Sequence, residues 1–180
     1  NDLYPFPNKT LLENISDEYK ETAKSRMLFE ENANIKKVKY NDKILHQSKI
    51  IKFYIENEEQ KKIQKDIDKI FKKIGKNRKY FYSAKDLSLV ESLEKDGFEI
   101  PQNLNISELT NKYEIPKNLL QLIENKQNAY LALKIVEIIG EDEPHQLDSE
   151  TIYFITNLLN KIDLIQIRNK VLVSALPQRV

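Results

Sequence analysis

Apolar residues recur at steps of three and four along most of the chain, a pattern typical of amphipathic helices. The clearest example follows Asn57: a row of isoleucines with one phenylalanine beside it, namely Ile63, Ile67, Ile70, Phe71 and Ile74. No window shows sustained alternation between hairpin turns, which strands would need. The pattern predicts an all-α fold of seven to eight amphipathic helices packed as antiparallel hairpins, in an irregular bundle or a short α-solenoid.

The same periodicity predicts where each helix lies. The expected helices are 10–27, 42–56, 57–75, 83–97, 117–124, 128–139, 148–160 and 163–176. In the second, the expected inward residues are Ile44, Leu45, Ser48, Ile51 and Ile55. In the fourth they are Leu87, Leu89, Val90 and Leu93. The implied organisation is an extended arm at 1–9, a helical region at 10–97, an irregular connection at 98–115 and helical hairpins at 116–180. Residues 10–176 could equally form one continuous domain.

Polar residues and glycines suggest the helix ends. Capping-box pairs are expected at three starts: Asn57 with Gln60, Ser83 with Asp86, and Asp163 with Gln166. Pro116 suits the first position of a helix, because that position needs no backbone N–H. The three glycines, Gly75, Gly97 and Gly140, are predicted to end helices, Gly75 in the left-handed conformation and Gly97 in a Schellman motif. Phe98 is placed for the apolar contact that closes such an end.

A weak internal repeat runs through the second half of the chain. Leu122–Gly140 can be laid over Leu158–Leu176 at an offset of 36, with apolar residues matching apolar residues and Lys134 falling on Lys170. A third copy would begin at Ile55. Paired helices at this period resemble the helical-hairpin repeats of α-solenoid proteins of the tetratricopeptide or HEAT kind. The resemblance implies a scaffold that binds protein or peptide on a concave face. An irregular helical bundle remains the alternative.

The composition excludes several chemistries. With no Cys, the chain has no disulfides, thiol nucleophiles or cysteine zinc sites. Two His and three Gly leave no three-histidine metal site and little room for a phosphate loop. The isolated His46 and His145 are expected to be structural or simply exposed. We therefore predict no metal, no cofactor and no enzymatic activity.

The most distinctive feature is a basic segment. Lys61–Lys85 holds ten basic residues against two acidic ones, a net charge of +8. Its candidate partner-binding residues are Lys69, Lys72, Lys73, Lys76, Arg78, Lys79, Tyr80 and Tyr82. Basic residues next to aromatic ones can hold phosphates and stack bases. The favoured interpretation is instead the solvated face of a helix, with Phe81 and one Tyr packed in the core, and an anionic protein partner is a further alternative.

An acidic segment, Glu137–Asp163, balances it with a net charge of −6. It is expected either to meet a basic surface, including the basic helix of another copy, or to supply carboxylates to two helix N-termini. We predict a non-enzymatic helical protein-interaction or scaffold module, with binding of nucleic acid or another anionic surface through Lys61–Lys85 as the alternative. A protein partner is favoured over nucleic acid, and the oligomeric state is open.

No apolar stretch reaches the length of about 18 residues that a membrane span needs. The chain is therefore expected to be soluble. It begins without Met, so either a leader has been removed or it belongs to a longer protein. The sequence does not choose between these and assigns no compartment.

Overall fold

In a computed structural model of the protein, the structure describes residues 38–101, 104, 110, 113–140 and 142–180. The predicted arm at 1–9 and the predicted first helix lie outside these residues, as does most of the irregular connection. All described residues except Val38 belong to one compact unit, Lys39–Val180, which contains every helix of the described part of the chain.

The described chain is mostly helical, which confirms the predicted all-α class. Two single turns of 3₁₀ helix, Leu45–Gln47 and Lys49–Ile51, come first. Seven α-helices follow: α1 (Lys52–Glu56), α2 (Gln60–Gly75), α3 (Ala84–Lys95), α4 (Lys117–Glu124), α5 (Asn128–Ile139), α6 (Ser149–Lys161) and α7 (Ile165–Ala175). Two-residue strands, β1 (Val38–Lys39) and β2 (Gln178–Arg179), form one small sheet.

The predicted apolar faces of α2 and α3 are confirmed. The five residues of the isoleucine row in α2 are at most 6% exposed, and the four expected residues of α3 are fully buried. Among the helices, the most extensive contacts are those of α3 with α6 and of α6 with α7. Ser88 and Ser92 on α3 and Thr156 on α6 are buried, each donating its hydroxyl to a carbonyl of its own helix. Small side chains with satisfied hydroxyls let these helices pack without leaving buried polar atoms unpaired.

The predicted single helix over 42–56 is wrong. Ser48 has an extended backbone conformation (φ −76°, ψ 173°) and separates the two 3₁₀ turns. Its hydroxyl donates to the Leu45 carbonyl at 2.7 Å. The backbone N–H groups of Leu45 and His46 donate to Tyr80 and Asp86, both at 2.9 Å. These tertiary bonds replace the i to i−4 ladder, since a serine hydroxyl offers the backbone an alternative partner.

Two of the three predicted capping boxes are wrong. Ser83 and Asp86 form theirs in full at the start of α3. Asn57 and Asp163 instead adopt left-handed conformations, with φ of 50° and 57°, just after the preceding helix. Asn and Asp tolerate this region better than most residues. Each of the two residues therefore ends the preceding helix and does not cap the next one. Glu59 and Leu164 occupy the N-cap positions and make no side-chain cap bond.

All three glycines lie at helix ends as predicted, but the expected left-handed conformation is wrong at Gly75. Gly97 (φ 86°) closes α3, and the Gly97 and Phe98 N–H groups donate to the Glu94 and Leu93 carbonyls, each at 3.0 Å, as in a Schellman motif. Gly140 (φ 60°) ends α5. Gly75 is the last residue of α2 and does not have a positive φ, because Lys76 continues the right-handed turn.

Pro116 lies one position earlier than predicted. It is the N-cap of α4, with φ −54° and ψ 141°, and the helix begins at Lys117. Its carbonyl accepts the first bonds of the helix from the Leu119 and Leu120 N–H groups.

Candidate interaction surfaces

The basic face of α2 lies opposite its buried isoleucine row. Seven lysines of the helix and its C-cap are exposed: Lys61, Lys62, Lys65, Lys69, Lys72, Lys73 and Lys76. Two of them form ion pairs along the helix, Lys62 with Glu58 and Lys69 with Asp66. Lys72 and Lys73 lie in the last turn, where a positive charge stabilises the helix dipole. Arg78 and Lys79 lie beyond the helix, so the dipole does not account for them.

An aromatic turn follows this helix. The Tyr80 hydroxyl accepts a bond from the Leu45 N–H and donates to Asp86 at 3.1 Å. Burial and the nearby Asp86 carboxylate together raise the pKa of Tyr80 well above its ordinary range. The Tyr80 and Tyr82 rings meet edge to face with centroids 5.2 Å apart. Tyr80 is therefore a fixed structural element of the turn.

A groove of about 570 Å³ lies between the C-terminal half of α2 and this turn. We call it the α2 groove. Its walls combine apolar, aromatic and polar side chains, from Asp68, Phe71, Lys72, Ile74, Gly75, Asn77, Tyr80, Tyr82, Pro101 and Leu104. A second hollow of about 250 Å³ lies on the other flank of α2, lined by Asp42, Lys49, Ile50, Asp66, Lys69, Ile70 and Lys73.

The eight candidate residues are distributed over these features. Lys72, Tyr80 and Tyr82 share the α2 groove. Lys69 and Lys73 line the second hollow, where Asp42 and Asp66 offset their charge. The remaining three, Lys76, Arg78 and Lys79, are exposed and line neither.

Phe81 is the clearest departure from the sequence interpretation. It was expected to pack in the core, and its side chain is 89% exposed. The residues on either side face the α2 groove and contact each other, which leaves the intervening ring in water. Among the described residues it is the most exposed large hydrophobic side chain.

His46 contacts Ser83 and Asp86, which lie 37 and 40 residues later in the sequence. The His46 Nδ1 atom lies 2.7 Å from Asp86 Oδ1 and 3.4 Å from Ser83 Oγ. Burial opposes ionisation of Asp86, but hydrogen bonds from His46 and Ser83 outweigh it and hold its pKa below the usual range. Asp and Ser approach the same ring nitrogen, whereas a nucleophilic triad uses both nitrogens. The cluster therefore fixes the 3₁₀ turns to the start of α3.

Arg168 is the centre of a second buried network, which the sequence did not suggest. Its side chain is fully buried, and Nη2 donates to both Asp96 carboxylate oxygens at 2.7 Å. Nη1 donates to Asn160 and to the Ser92 carbonyl. Tyr54 donates to Asp96 and places its ring 5.6 Å from the guanidinium. The sequence feature that could have indicated this network is an arginine on the apolar face of α7, in a chain with only four arginines.

Helix α5 exposes apolar side chains on the side away from its buried face. Leu131 and Ile135 are at most 3% exposed, whereas Tyr130 and Leu133 are 50% exposed and Val136 is 43% exposed. Ala129, Leu133 and Val136 follow at steps of four and three, so they form one stripe along the helix. We call these three residues, together with Tyr130, the α5 stripe.

Three carboxylates of the acidic segment bind groups within the described part of the protein. Asp148 is the N-cap of α6 and accepts from the Glu150 and Thr151 N–H groups, both at 2.9 Å. Glu137 pairs with Lys134 at 2.7 Å, and Asp163 pairs with Lys95 at 2.6 Å. Glu141 lies outside the described residues. Asp148 thus has the helix-starting role expected for part of this segment.

Comparison with known proteins gave no match to a protein-family profile, to a curated protein or to a solved structure. Within the described ranges, no group of His, Asp and Glu side chains is arranged to hold a metal ion. No helix in that part of the chain is long and apolar enough to cross a membrane.

Proposed function

We propose that the protein is a non-enzymatic helical interaction module that binds another protein through the α5 stripe. The observation that carries this proposal is the exposure of Tyr130, Leu133 and Val136 on a helix whose opposite face is already in the core. Single exposed apolar residues are ordinary, but a contiguous row marks an interaction surface.

The spacing of the stripe suits an amphipathic helix as the partner. Ala129, Leu133 and Val136 present apolar groups over two helical turns, and the small Ala129 allows close approach at one end. The ion pair between Lys134 and Glu137 lies in the same two turns. Lys134 also lies 5.9 Å from the Tyr130 ring, so a polar rim accompanies the apolar row.

The buried titratable groups support a binding role over catalysis. Asp86 is bonded to His46 and Ser83, and Arg168 is bonded to Asp96 and Asn160. Each of these groups holds segments of the chain together. Catalytic groups would instead converge on a cavity that a substrate can enter.

A single-thiol variant tests the α5 stripe directly. The chain has no Cys, so Leu133→Cys provides one attachment point for a photoactivatable crosslinker. The matched control is Gln121→Cys, at an exposed position of α4. After irradiation in an extract of the source cells, we expect a protein joined at position 133 and absent at position 121.

The captured protein must then be purified and its affinity measured. We expect Leu133→Asp to weaken binding at least about tenfold, since it removes an apolar contact and places a charge in a desolvated interface. Gln121→Asp should leave the affinity and the melting temperature unchanged. Equal affinity of the wild-type and Leu133→Asp proteins would overturn the proposal.

A further inference from the structure

Gly75 has no structural reason to be glycine. It lies in α2 without a positive φ, so its backbone does not require the left-handed region. A Cβ atom built there meets nothing within 4 Å, so packing does not require glycine either. Glycine costs a helix interior roughly 0.5–1 kcal/mol relative to alanine, and it keeps part of that disadvantage at the last residue. Gly75 also lines the α2 groove, and its missing side chain keeps that wall of the groove open.

Cations without a local partner surround the same end of α2. No ion pair with any described residue is formed by four of these cations, namely Lys72, Lys76, Arg78 and Lys79. Lys72 lies inside the groove, and the other three follow within seven residues. A concentration of unpaired positive charge attracts a polyanion by displacing its counterions.

The aromatic residues supply a different kind of contact. Phe81, 89% exposed, lies two residues after Lys79 and so presents its ring to solvent near Arg78 and Lys79 in the sequence. Tyr82 lines the groove, and its hydroxyl forms no hydrogen bond with any described residue. Stacking on exposed aromatic rings accepts any base, because every base has a π face.

We propose that this end of α2 binds a single-stranded nucleic acid. Its phosphates contact Lys72, Lys76, Arg78 and Lys79, one base stacks on Phe81, and the strand passes close to Gly75. This function is independent of the α5 stripe and uses a different chemistry.

The details of the groove favour a single strand over other polyanions. Asp68 lies in its wall, held by Gln64 at 3.1 Å, and repels phosphate but accepts hydrogen bonds from base N–H groups, such as the N3–H of an unpaired thymine. A duplex would keep its bases stacked inside and leave Phe81 in water. An acidic peptide would use the cations without needing an exposed aromatic ring.

Three substitutions in the full chain test the proposal by fluorescence anisotropy with a labelled 12-nucleotide oligo(dT). Phe81→Ala should weaken binding by about five- to a hundredfold, the range for losing one stacked base. Gly75→Leu should fill the groove and weaken binding while the melting temperature holds or rises, because leucine favours helix more than glycine. Lys72→Gln should weaken binding and reduce its salt dependence.

The matched control is Lys61→Gln, which removes the same charge from the same helix about 17 Å away at 1.5 Å per residue. Lys61 is exposed and unpaired among the described residues, as Lys72 is. Stronger binding of oligo(dT) than of a 12-base-pair duplex, with affinity retained in Lys61→Gln, would support the proposal. Equal losses in Lys61→Gln and Lys72→Gln, full affinity in Phe81→Ala, or tighter binding of polyglutamate than of oligo(dT) would overturn it.

Discussion

The helix pairs α4–α5 and α6–α7 share one turn and differ in almost everything around it. In each pair a residue in the left-handed region, Lys126 (φ 55°) or Asp163 (φ 57°), lies between the two helices. The next residue has φ −83° and ψ 52° at Gln127, and φ −82° and ψ 56° at Leu164. In both pairs the N–H group of this residue donates to the carbonyl five residues back. Gln127 donates to Leu122 at 2.9 Å, and Leu164 donates to Leu159 at 3.0 Å. The turns match at an offset of 37, one more than the offset of 36 that aligns the apolar residues.

The two pairs differ in how many of their residues are buried. In α6, seven residues are buried, including the polar Thr156 and Asn160, because this helix packs against both α3 and α7. In α5, two residues are buried and a row of apolar side chains is exposed. The same local turn therefore serves a core pair and a peripheral pair. The turn is set by short-range backbone bonds, whereas burial is set by which other helices lie alongside. Whether the two pairs form a repeat remains a prediction.

The two pairs differ most sharply at the fourth residue of the second helix of each pair. It is fully buried in both pairs, as Leu131 in α5 and as Arg168 in α7. Arg168→Ala leaves Asp96 and Asn160 without their partner, and breaking a buried ion pair typically costs about 3–5 kcal/mol. We expect that loss in the free energy of unfolding, measured by urea denaturation. Lys134→Ala, which removes a partly exposed cation and its surface ion pair from α5, is the control and should cost less than about 1 kcal/mol. Similar unfolding free energies for the two variants would mean that the Arg168 network contributes nothing to stability.

The next comparison applies one chemical change to both pairs. Leu172 on α7 is fully buried, and Leu133 on α5 is half exposed. Leu172→Ala should destabilise the protein by about 2–5 kcal/mol, since it removes buried methyl groups and leaves a cavity. Leu133→Ala should cost less than about 1 kcal/mol, because half of its side chain already contacts water. Differential scanning calorimetry would measure both. A cost at Leu133 equal to that at Leu172 would mean that the α5 stripe is covered within the protein.

The shared turn can be tested by placing glycine at its left-handed position. A non-glycine residue there costs roughly 1 kcal/mol. We therefore expect Lys126→Gly to raise the free energy of unfolding by about 0.5 kcal/mol, after the entropy of the more flexible unfolded chain is subtracted. Asp163→Gly should gain less, because it also loses the ion pair with Lys95. A loss of stability in Lys126→Gly would mean that the added flexibility of the unfolded chain outweighs the strain relieved at this position.

These contrasts show what the sequence could predict. The ranges of α4 and α5 and the apolar faces of α2 and α3 were predicted, because they depend on periodicity within a short window. The break at Ser48 depends on bonds to Tyr80 and Asp86, more than 30 residues away, and no local pattern contains them. Arg168 meets Asp96 across 72 residues for the same reason.

The candidate sites follow the same rule. The basic residues of α2 were identifiable from composition, but their division between the α2 groove and the second hollow needed the helix to be placed against its neighbours. The exposure of Phe81 was missed because a hydrophobic residue between two tyrosines looks like part of a core. The left-handed Asn57 and Asp163 were mistaken for helix starts because the same residue types favour both positions.

Another small effect concerns the polar contact that joins α6 to α3. Tyr153 on α6 donates to Glu91 on α3 at 2.6 Å. Burial raises the pKa of Glu91, and Glu94 adds to this, while the Tyr153 bond and Lys161 oppose it. A carboxyl group whose pKa is higher in the folded state favours folding when it is protonated. Its contribution is therefore present below the unfolded-state pKa and is lost as the pH rises through the folded-state value.

Glu91→Gln removes that charge and retains an oxygen that can accept the Tyr153 hydrogen bond. We expect it to raise the free energy of unfolding at pH 7 by less than about 1 kcal/mol, a fraction of one pKa unit's 1.36 kcal/mol. The gain should disappear below about pH 4, where the carboxyl group is protonated in both states. Urea denaturation at pH 7 and pH 3.5 would measure it, with Glu99→Gln as the exposed control. A gain of the same size at both pH values would mean that shape, and not charge, accounts for the change, because only the charge is lost on acidification.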